Sequence, residues 1–321
     1  MTTFKEIRGT AVQSVSSDPS NPESGQIWYN NSIGVLKGYA LTAAAWASGG
    51  NLSTARRVLG GAGTQTAGLG FGGFTTTNQS ATEEYDGSAW TAGGNLGTAR
   101  RFLAGCGLQT AGLGFGGYTT ADSAATEEYD GSAWAGGGNL GTARILLAGA
   151  GTQTSGLAFG GEIFTTVQSA TEEYDGSAWT AGGNLGTARK GLAGAGTQTA
   201  GLGFGGYTTG VVTNTEEYDG SAWTSGGNMG TARYQLAGAG TQTVGLAFGG
   251  LTTVVLANTE EYNGTSWTAS TAMTTARRGL GGVGTQTSAL AFGGGAPTDS
   301  TATEEYTGAF LATKTITTST S

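Results

Sequence analysis

Short apolar segments alternate with polar or glycine-rich turns along most of the chain, and none is long enough for a helix. Residues 98–138 illustrate the pattern, with the segments RFLAGCG, AGLGFGG, ATEEYDG and SAWAGGG separated by short loops such as LQT and YTTADSA. Each segment has the length of a β-strand, about five or six residues. The pattern therefore predicts a unit of four consecutive strands.

This unit recurs with a nearly constant period of 44 residues. Six tryptophans define this period, with separations of 44, 44, 45, 44 and 44 residues: Trp46, Trp90, Trp134, Trp179, Trp223 and Trp267. Thr-Ala-Arg, Gly-Gly and Glu-Glu-Tyr each recur six times in the same order. Four strands per repeat of about 40–50 residues is typical of a β-propeller blade. A β-helical solenoid is the competing architecture, but its coils are usually shorter.

The pattern predicts an all-β propeller of six four-stranded blades, with seven as the alternative. The two counts differ in how the ring closes. Trp46 precedes the first complete repeat, so its strand could complete the last blade, but Phe310 occupies the expected tryptophan place in that blade. If Phe310 fills that place, residues 27–47 would form part of a seventh blade.

Composition narrows the class further. The chain has 63 Gly but only 3 Pro, which excludes collagen, and its 7 Trp, 11 Tyr and 11 Phe exclude a disordered linker. It has no His, which excludes His-based catalysis and His-ligated metals. The single Cys106 excludes an internal disulfide. A net charge of -8 argues against binding nucleic acid or anionic membranes, and we expect neither a membrane span nor a secretory signal.

The repeat resembles the kelch family. The residues that carry the likeness follow one another within a copy, as in Gly116, Gly117, Glu127, Tyr129, Asp130, Trp134 and Arg144. The resemblance covers about residues 46–310 and implies a kelch-like propeller. The period is shorter than the roughly 50 residues of kelch units, and the His often found after the Arg is missing. Copper-radical oxidase chemistry, known from kelch-like heads, needs His ligands and is therefore not expected.

The N-terminal segment resembles part of bacteriophage tail-fibre and related virion proteins, through residues 18–46, DPSNPESGQIWYNNSIGVLKGYALTAAAW. Its GQIWYNN and GVLKGY segments predict a β-hairpin, preceded by an extended arm. We expect three parts: the arm and hairpin in 1–45, the propeller in 46–312 and a tail in 313–321. The resemblance implies that residues 1–45 attach to other virion proteins, and a homo-oligomer formed by this chain is left open.

The repeated carboxylates are expected to be structural. Neighbouring strand residues point to opposite faces, so Glu83 and Glu84 cannot form one catalytic dyad; we expect one to face the Arg of Thr-Ala-Arg and the other to face solvent. The Asp-Gly pairs are typical of hairpin turns. Cys106 stands where other copies have Ala or Val, so we expect a small core residue there.

Two sets of positions differ among the repeats: the residue after Thr-Ala-Arg and the loop after Gly-Gly. Strand parity places both sets on one face of the predicted ring, where recognition is expected because loops carry specificity. The candidate binding residues offer cations and aromatic faces suited to glycans or anionic sugars: Arg57, Phe74, Arg101, Tyr118, Lys190, Tyr207, Tyr234 and Arg278. Drift without function would also make these loops vary.

These observations predict a non-enzymatic virion protein, made in the host cytoplasm, whose variable face binds a host-surface glycan or protein without a metal or cofactor. A purely structural decoration or adaptor protein is the first alternative. A carboxylate-dependent, glycan-active enzyme is the second. It would use acidic residues found in single repeats, for which the candidates are Asp122, Glu162 and Asp299.

Overall fold

The structure, a computed structural model, describes residues 12–316; the predicted arm in 1–11 and the end of the predicted tail lie outside them. The described residues form strands, turns and loops with no helix, so none of them forms a helix that could span a bilayer. Contacts divide them into two units, 45–307 and a smaller one made of 12–44 with 308–316. Residues 308–316 thus group with the N-terminal segment, whereas the sequence placed 46–312 together.

The larger unit contains six four-stranded antiparallel sheets, numbered here in the chain order of their first strands. The first strands are Gly60–Gly63, Ala104–Leu108, Ala148–Thr152, Ala193–Thr197, Ala237–Gly240 and Gly281–Thr285. The second strands are Gly68–Phe71, Ala111–Phe115, Ser155–Phe159, Ala200–Phe204, Gly245–Phe248 and Ser288–Phe292. The third strands are Thr82–Tyr85, Thr126–Tyr129, Thr171–Tyr174, Thr215–Tyr218, Thr259–Tyr262 and Thr303–Thr307.

The fourth strands carry the tryptophans. In sheets 1 to 5 they are Trp90–Ala92, Trp134–Gly136, Trp179–Ala181, Trp223–Ser225 and Trp267–Ser270. In sheet 6 the fourth strand is Ala45–Ser48, which pairs with Thr303–Thr307 and sets Trp46 opposite Tyr306. Phe310 instead pairs with Thr42 in the smaller unit. Sheet 3 also carries a short ribbon, Glu162–Ile163 with Thr166–Val167, in its variable loop.

Each first strand contacts the first strand of the next sheet, and the sixth contacts the first, so the sheets form a closed cycle consistent with a β-propeller. Glycine permits this approach. A Cβ on Gly105 would lie 2.5 Å from the Phe71 ring and 2.7 Å from the Gly61 carbonyl oxygen of the neighbouring sheet. The predicted all-β fold and the four strands per repeat are confirmed.

A buried ion pair joins the Thr-Ala-Arg motif to the first glutamate of Glu-Glu-Tyr in every repeat. In sheet 2 the Arg100 guanidinium is fully buried and donates to Glu127 Oε1 at 3.0 Å. It also donates to the carbonyls of Gly116 and Ala125, at 3.0 and 2.5 Å. The same arginine–glutamate pair recurs in the other five sheets. The predicted arginine partner of one glutamate is confirmed.

The second glutamate does not face solvent as expected. It accepts a hydrogen bond from the tyrosine hydroxyl of the next sheet, for example Tyr129 to Glu84 at 2.5 Å. The contact recurs at all six junctions, including Tyr85 to Glu305, which joins sheet 1 to sheet 6. The prediction was wrong because strand alternation shows only on which side of its sheet the second glutamate lies. In the structure that side is covered by the neighbouring sheet instead of solvent.

These tyrosines provide a pH-dependent prediction. Burial and the glutamate partner raise the pKa of Tyr85, Tyr129, Tyr174, Tyr218 and Tyr262 from 10.0 to about 12. Between about pH 10 and 12 the folded state keeps protons that the unfolded state loses, so their contribution to stability is lost as pH rises through this window. At about pH 11, phenolate absorbance is therefore expected to rise upon denaturation. Ionisation of all five in the folded protein near pH 10.0 would contradict the structure.

The smaller unit is a sheet in the order Gln13–Val15, Ile27–Asn30, Val35–Thr42 and Phe310–Thr315, with the predicted hairpin at its centre. Its anchor is Asp18, which accepts hydrogen bonds from Lys37, Asn30 and Trp28 at 2.5, 2.8 and 3.1 Å. These donors lower the pKa of Asp18 to about 2. Leu41 and Leu311 are paired across two strands of this sheet and are 64% and 41% exposed.

Candidate functional site

The two sets of variable positions meet in every sheet through backbone pairing. The residue after Thr-Ala-Arg forms an antiparallel bridge with the residue after Gly-Gly. Arg57 and Phe74, for example, exchange two backbone hydrogen bonds, at 3.1 and 2.9 Å. The six bridges are Arg57–Phe74, Arg101–Tyr118, Ile145–Glu162, Lys190–Tyr207, Tyr234–Leu251 and Arg278–Gly295. We call this surface the variable face; it contains all eight candidate residues.

The variable face also holds every charge of the larger unit that is not repeated. Apart from the six buried arginines, the Lys and Arg residues of 45–307 are Arg57, Arg101, Lys190 and Arg278. Apart from the Glu-Glu pairs and the Asp-Gly turns, its acidic residues are Asp122, Glu162 and Asp299. A repeated scaffold therefore carries its individual charges on one surface.

Two of the four cations are neutralised by carboxylates of a neighbouring repeat. Arg57 forms an ion pair with Asp299, and Lys190 donates to Glu162 at 2.6 Å. Asp122 has no cation opposite it, because Ile145 holds the corresponding position, and its Oδ2 accepts from the backbone N–H of Phe164 at 2.9 Å. The three non-repeated carboxylates are thus all engaged by protein donors.

The other two cations, Arg101 and Arg278, have no carboxylate partner and no side-chain hydrogen bond within residues 12–316. The Nε of Arg101 is buried without a hydrogen-bond acceptor. Arg278, Arg57 and Arg101 precede the first strands of sheets 6, 1 and 2, which follow one another around the ring. One sector of the variable face is therefore basic within a chain of net charge -8.

Aromatic rings line the same sector. The Arg101 guanidinium carbon lies 4.5 Å from the Phe74 ring centre and 4.8 Å from that of Tyr118. Arg57 also lies over Phe74, at 5.1 Å. Arg57, Phe74 and Arg101, with Val58 and Phe102, line a cavity of about 240 Å³. The structure brings four predicted site residues together here: Arg57, Phe74, Arg101 and Tyr118.

A second cluster joins sheets 4 and 5. The rings of Tyr207 and Tyr234 lie 5.5 Å apart at an interplanar angle of 55°, and the Lys190 ammonium lies 5.7 Å from the centre of the Tyr207 ring. Because Lys190 is already paired with Glu162, this cluster offers aromatic surface more than free charge.

The second position after each Thr-Ala-Arg motif was not identified from the sequence as part of this surface. Its backbone forms a closed cycle of six hydrogen bonds in which each N–H donates to the carbonyl of the preceding repeat, as in Phe102 to Val58 at 2.9 Å and Val58 to Gly279 at 2.6 Å. The members of this backbone ring are Val58, Phe102, Leu146, Gly191, Gln235 and Gly279. They line a cavity of about 90 Å³, with six leucines next to them in the chain. Variation at this position among the repeats was the available signal.

All six members of the backbone ring adopt a positive φ, between 51° and 59°. Val58 is the most unusual of them, since branched side chains rarely occupy this left-handed region, at a cost of about 1–2 kcal/mol per residue. The closed cycle of six backbone hydrogen bonds offsets that cost.

Within the described residues, no group of three or more acidic, Cys or His side chains is placed to hold a metal ion. Cys106 is buried, its pKa is raised to about 12 by desolvation, and it packs among core residues such as Leu113 and Phe115. On the variable face, the unpaired guanidinium of Arg101 lies beside the rings of Phe74 and Tyr118 and can donate hydrogen bonds. No protein-family model matches the chain, and no curated protein matches it.

Proposed function

We propose that the chain is a non-enzymatic phage virion protein, a tail-fibre or appendage component, with a six-bladed, kelch-like propeller. Its variable face binds a host-surface glycan or protein receptor, and its N-terminal segment attaches to other virion proteins. The resemblance of residues 18–46 to virion proteins supports the location. Six sheets closed by the Trp46 strand support the blade count.

One observation carries the binding proposal: all non-repeated charged side chains of the larger unit lie on the variable face. Random drift would also place charges on exposed turns elsewhere, such as the turns between first and second strands. The Gln at the centre of each turn donates to carbonyls of the neighbouring sheet, which explains its constancy. The exposed positions on either side of it are Thr in every copy except for Leu108, and none carries a charge. Charge that varies on one surface of a constant scaffold is the pattern expected of recognition loops.

The test removes the four cations together, as Arg57→Gln, Arg101→Gln, Lys190→Gln and Arg278→Gln. We expect binding to an array of bacterial surface polysaccharides, and to a panel of bacterial cells, to fall at least about tenfold, because charged hydrogen bonds contribute about 1.5–3 kcal/mol each. The matched control changes four exposed fourth-strand residues: Thr91→Gln, Thr180→Gln, Thr224→Gln and Thr268→Gln. Equal binding by the two quadruple variants, or no binding by the unaltered protein, would count against the proposal.

A structural decoration or adaptor role is the alternative, and the exposed pair Leu41 and Leu311 supports it, because an apolar pair on an open sheet suits contact with another virion protein. This role predicts association with phage particles that is lost in Leu41→Ser/Leu311→Ser. It also predicts no binding to the array. The carboxylate-dependent enzyme gains no such support, because Glu162 and Asp299 are paired with cations.

A further inference from the structure

We propose that Arg101 and the cavity beside Phe74 bind the carboxylate of an acidic sugar, a uronic acid unit in a bacterial surface polysaccharide. This inference rests on the proposed binding function and names its ligand class. The juxtaposition that carries it is an unpaired guanidinium, the aromatic rings beside it and a cavity at one junction between sheets.

An internal comparison identifies the missing partner. At the junction of sheets 6 and 1, Asp299 comes from the variable loop and pairs with Arg57. At the junction of sheets 1 and 2, the corresponding residue is Asn78, which forms the same bridge within its loop, Phe74–Asn78 as against Gly295–Asp299. The carboxylate that neutralises Arg57 is thus replaced by a neutral amide opposite Arg101. A carboxylate ligand would supply the charge that this junction lacks.

The side chain of Asn78 is held by its own loop contacts. Its Nδ2 donates to the carbonyls of Tyr118 and Thr119, at 3.2 and 2.7 Å, so it brings no negative charge to Arg101. Its Oδ1 is buried without a donor, and Asn78 does not line the cavity, so this oxygen is not a contact for the ligand. The Arg101 guanidinium requires an acceptor, and a uronic acid unit supplies a carboxylate within a surface polysaccharide.

The surroundings suit one sugar unit. The cavity of about 240 Å³ is smaller than typical pockets for drug-sized ligands, about 300–1,000 Å³. The rings of Phe74 and Tyr118 hold the Arg101 guanidinium through cation–π contacts. Its Nε is buried, so the two Nη groups are the ones available for a bidentate carboxylate contact. A net charge of -8 on the chain disfavours densely charged polyanions such as nucleic acid.

The experiment measures binding of an oligogalacturonate by calorimetry, with its fully methyl-esterified form and inorganic phosphate as comparison probes. We expect the free acid to bind, and the ester and phosphate to bind at least about tenfold more weakly. Equal binding of phosphate would indicate a general anion site and overturn the sugar assignment. Equal binding of an Asp- and Glu-rich peptide would indicate an acidic protein partner and also overturn it.

Two isosteric variants make the test sharp. Asn78→Asp supplies an internal carboxylate to Arg101 and is expected to reduce oligogalacturonate affinity at least about tenfold. It also loses the two hydrogen bonds that Asn78 donates, so Asn78→Ala, which loses them without adding a charge, is the control and is expected to bind more tightly than Asn78→Asp. Asp299→Asn releases Arg57 and is expected to retain or raise that affinity. Arg101→Lys keeps the charge but loses the planar fork, so partial loss is expected. Unchanged affinity in Asn78→Asp, or equal loss of affinity in Asn78→Asp and Asn78→Ala, would overturn the inference.

Failure here is distinguishable from failure of the proposed function. The protein could bind bacterial surfaces, and lose this binding in the four-cation variant, without binding oligogalacturonate. In that case only the proposed ligand class is wrong. If it binds no surface and no polysaccharide, the proposed function fails as well.

Discussion

Replacing Trp46 by Ala is expected to lower the free energy of unfolding by about 3 kcal/mol, the lower end of the range for large aromatic residues. Trp46 lies 5.1 Å from Phe248 and 5.0 Å from Tyr306, between ring centres, and its Nε1 donates to Thr259 at 3.0 Å. These contacts fasten the Ala45–Ser48 strand to sheet 6 and to the neighbouring sheet 5. Their loss weakens the closure of the ring.

Two controls accompany this variant in chemical denaturation. Phe310→Ala is expected to cost less than about 1 kcal/mol, because Phe310 is 48% exposed and lies in the other unit. Trp134→Ala tests the same position in sheet 2, where the ring lies 4.7 Å from Phe71, and should resemble Trp46→Ala. The opposite ranking of Trp46→Ala and Phe310→Ala would mean that the Phe310 strand closes the ring.

Replacing Glu127 by Ala is expected to lower the free energy of unfolding by about 3–5 kcal/mol, because it leaves a buried guanidinium without its counter-charge. Arg100 is fully buried and Glu127 is 7% exposed. Glu127 also accepts from the backbone N–H of Gly97 at 2.6 Å, so the variant leaves that donor unpaired too.

Glu128→Ala is the matched control one residue away. Glu128 is only partly buried and accepts a single hydrogen bond from Tyr174, at 2.5 Å. We expect a loss of about 1.5–3 kcal/mol, the range for hydrogen bonds to charged groups. Denaturant unfolding of both variants provides the comparison. If Glu127→Ala were the milder of the two, the buried pair would not dominate the stability of the repeat.

Much of the fold was predictable because the same motifs recur along the chain at a nearly constant spacing. A recurring Trp, Gly-Gly and Glu-Glu-Tyr at fixed spacing defined the strands, and alternation correctly predicted that one glutamate of each pair faces the Arg of Thr-Ala-Arg. In the first repeat it is Glu83, which lies 3.0 Å from Arg56. The partner of Glu84 was not predictable in this way. Tyr129 reaches it from the next sheet, and strand alternation contains no information about how adjacent sheets pack.

The candidate site was predictable as a surface but not as a set of contacts. Variable positions identified Arg57 and Arg101 equally, yet Arg57 is paired and Arg101 is not. The difference arises from Asp299, which is 242 residues from Arg57 and meets it only because the ring closes. The positive φ of Val58 was equally hidden, since local preference opposes it and only the hydrogen-bond cycle favours it.

The backbone ring affects which amino-acid substitutions the repeats can accept. Its six hydrogen bonds use main-chain atoms only, so residues as different as Phe102, Gln235 and Gly279 occupy equivalent places in it. Side chains there, and at the variable positions beside them, can be exchanged without loss of the bonds that join one repeat to the next. Each repeat can therefore change its surface residues independently of the others, while the backbone contacts that join the repeats stay the same.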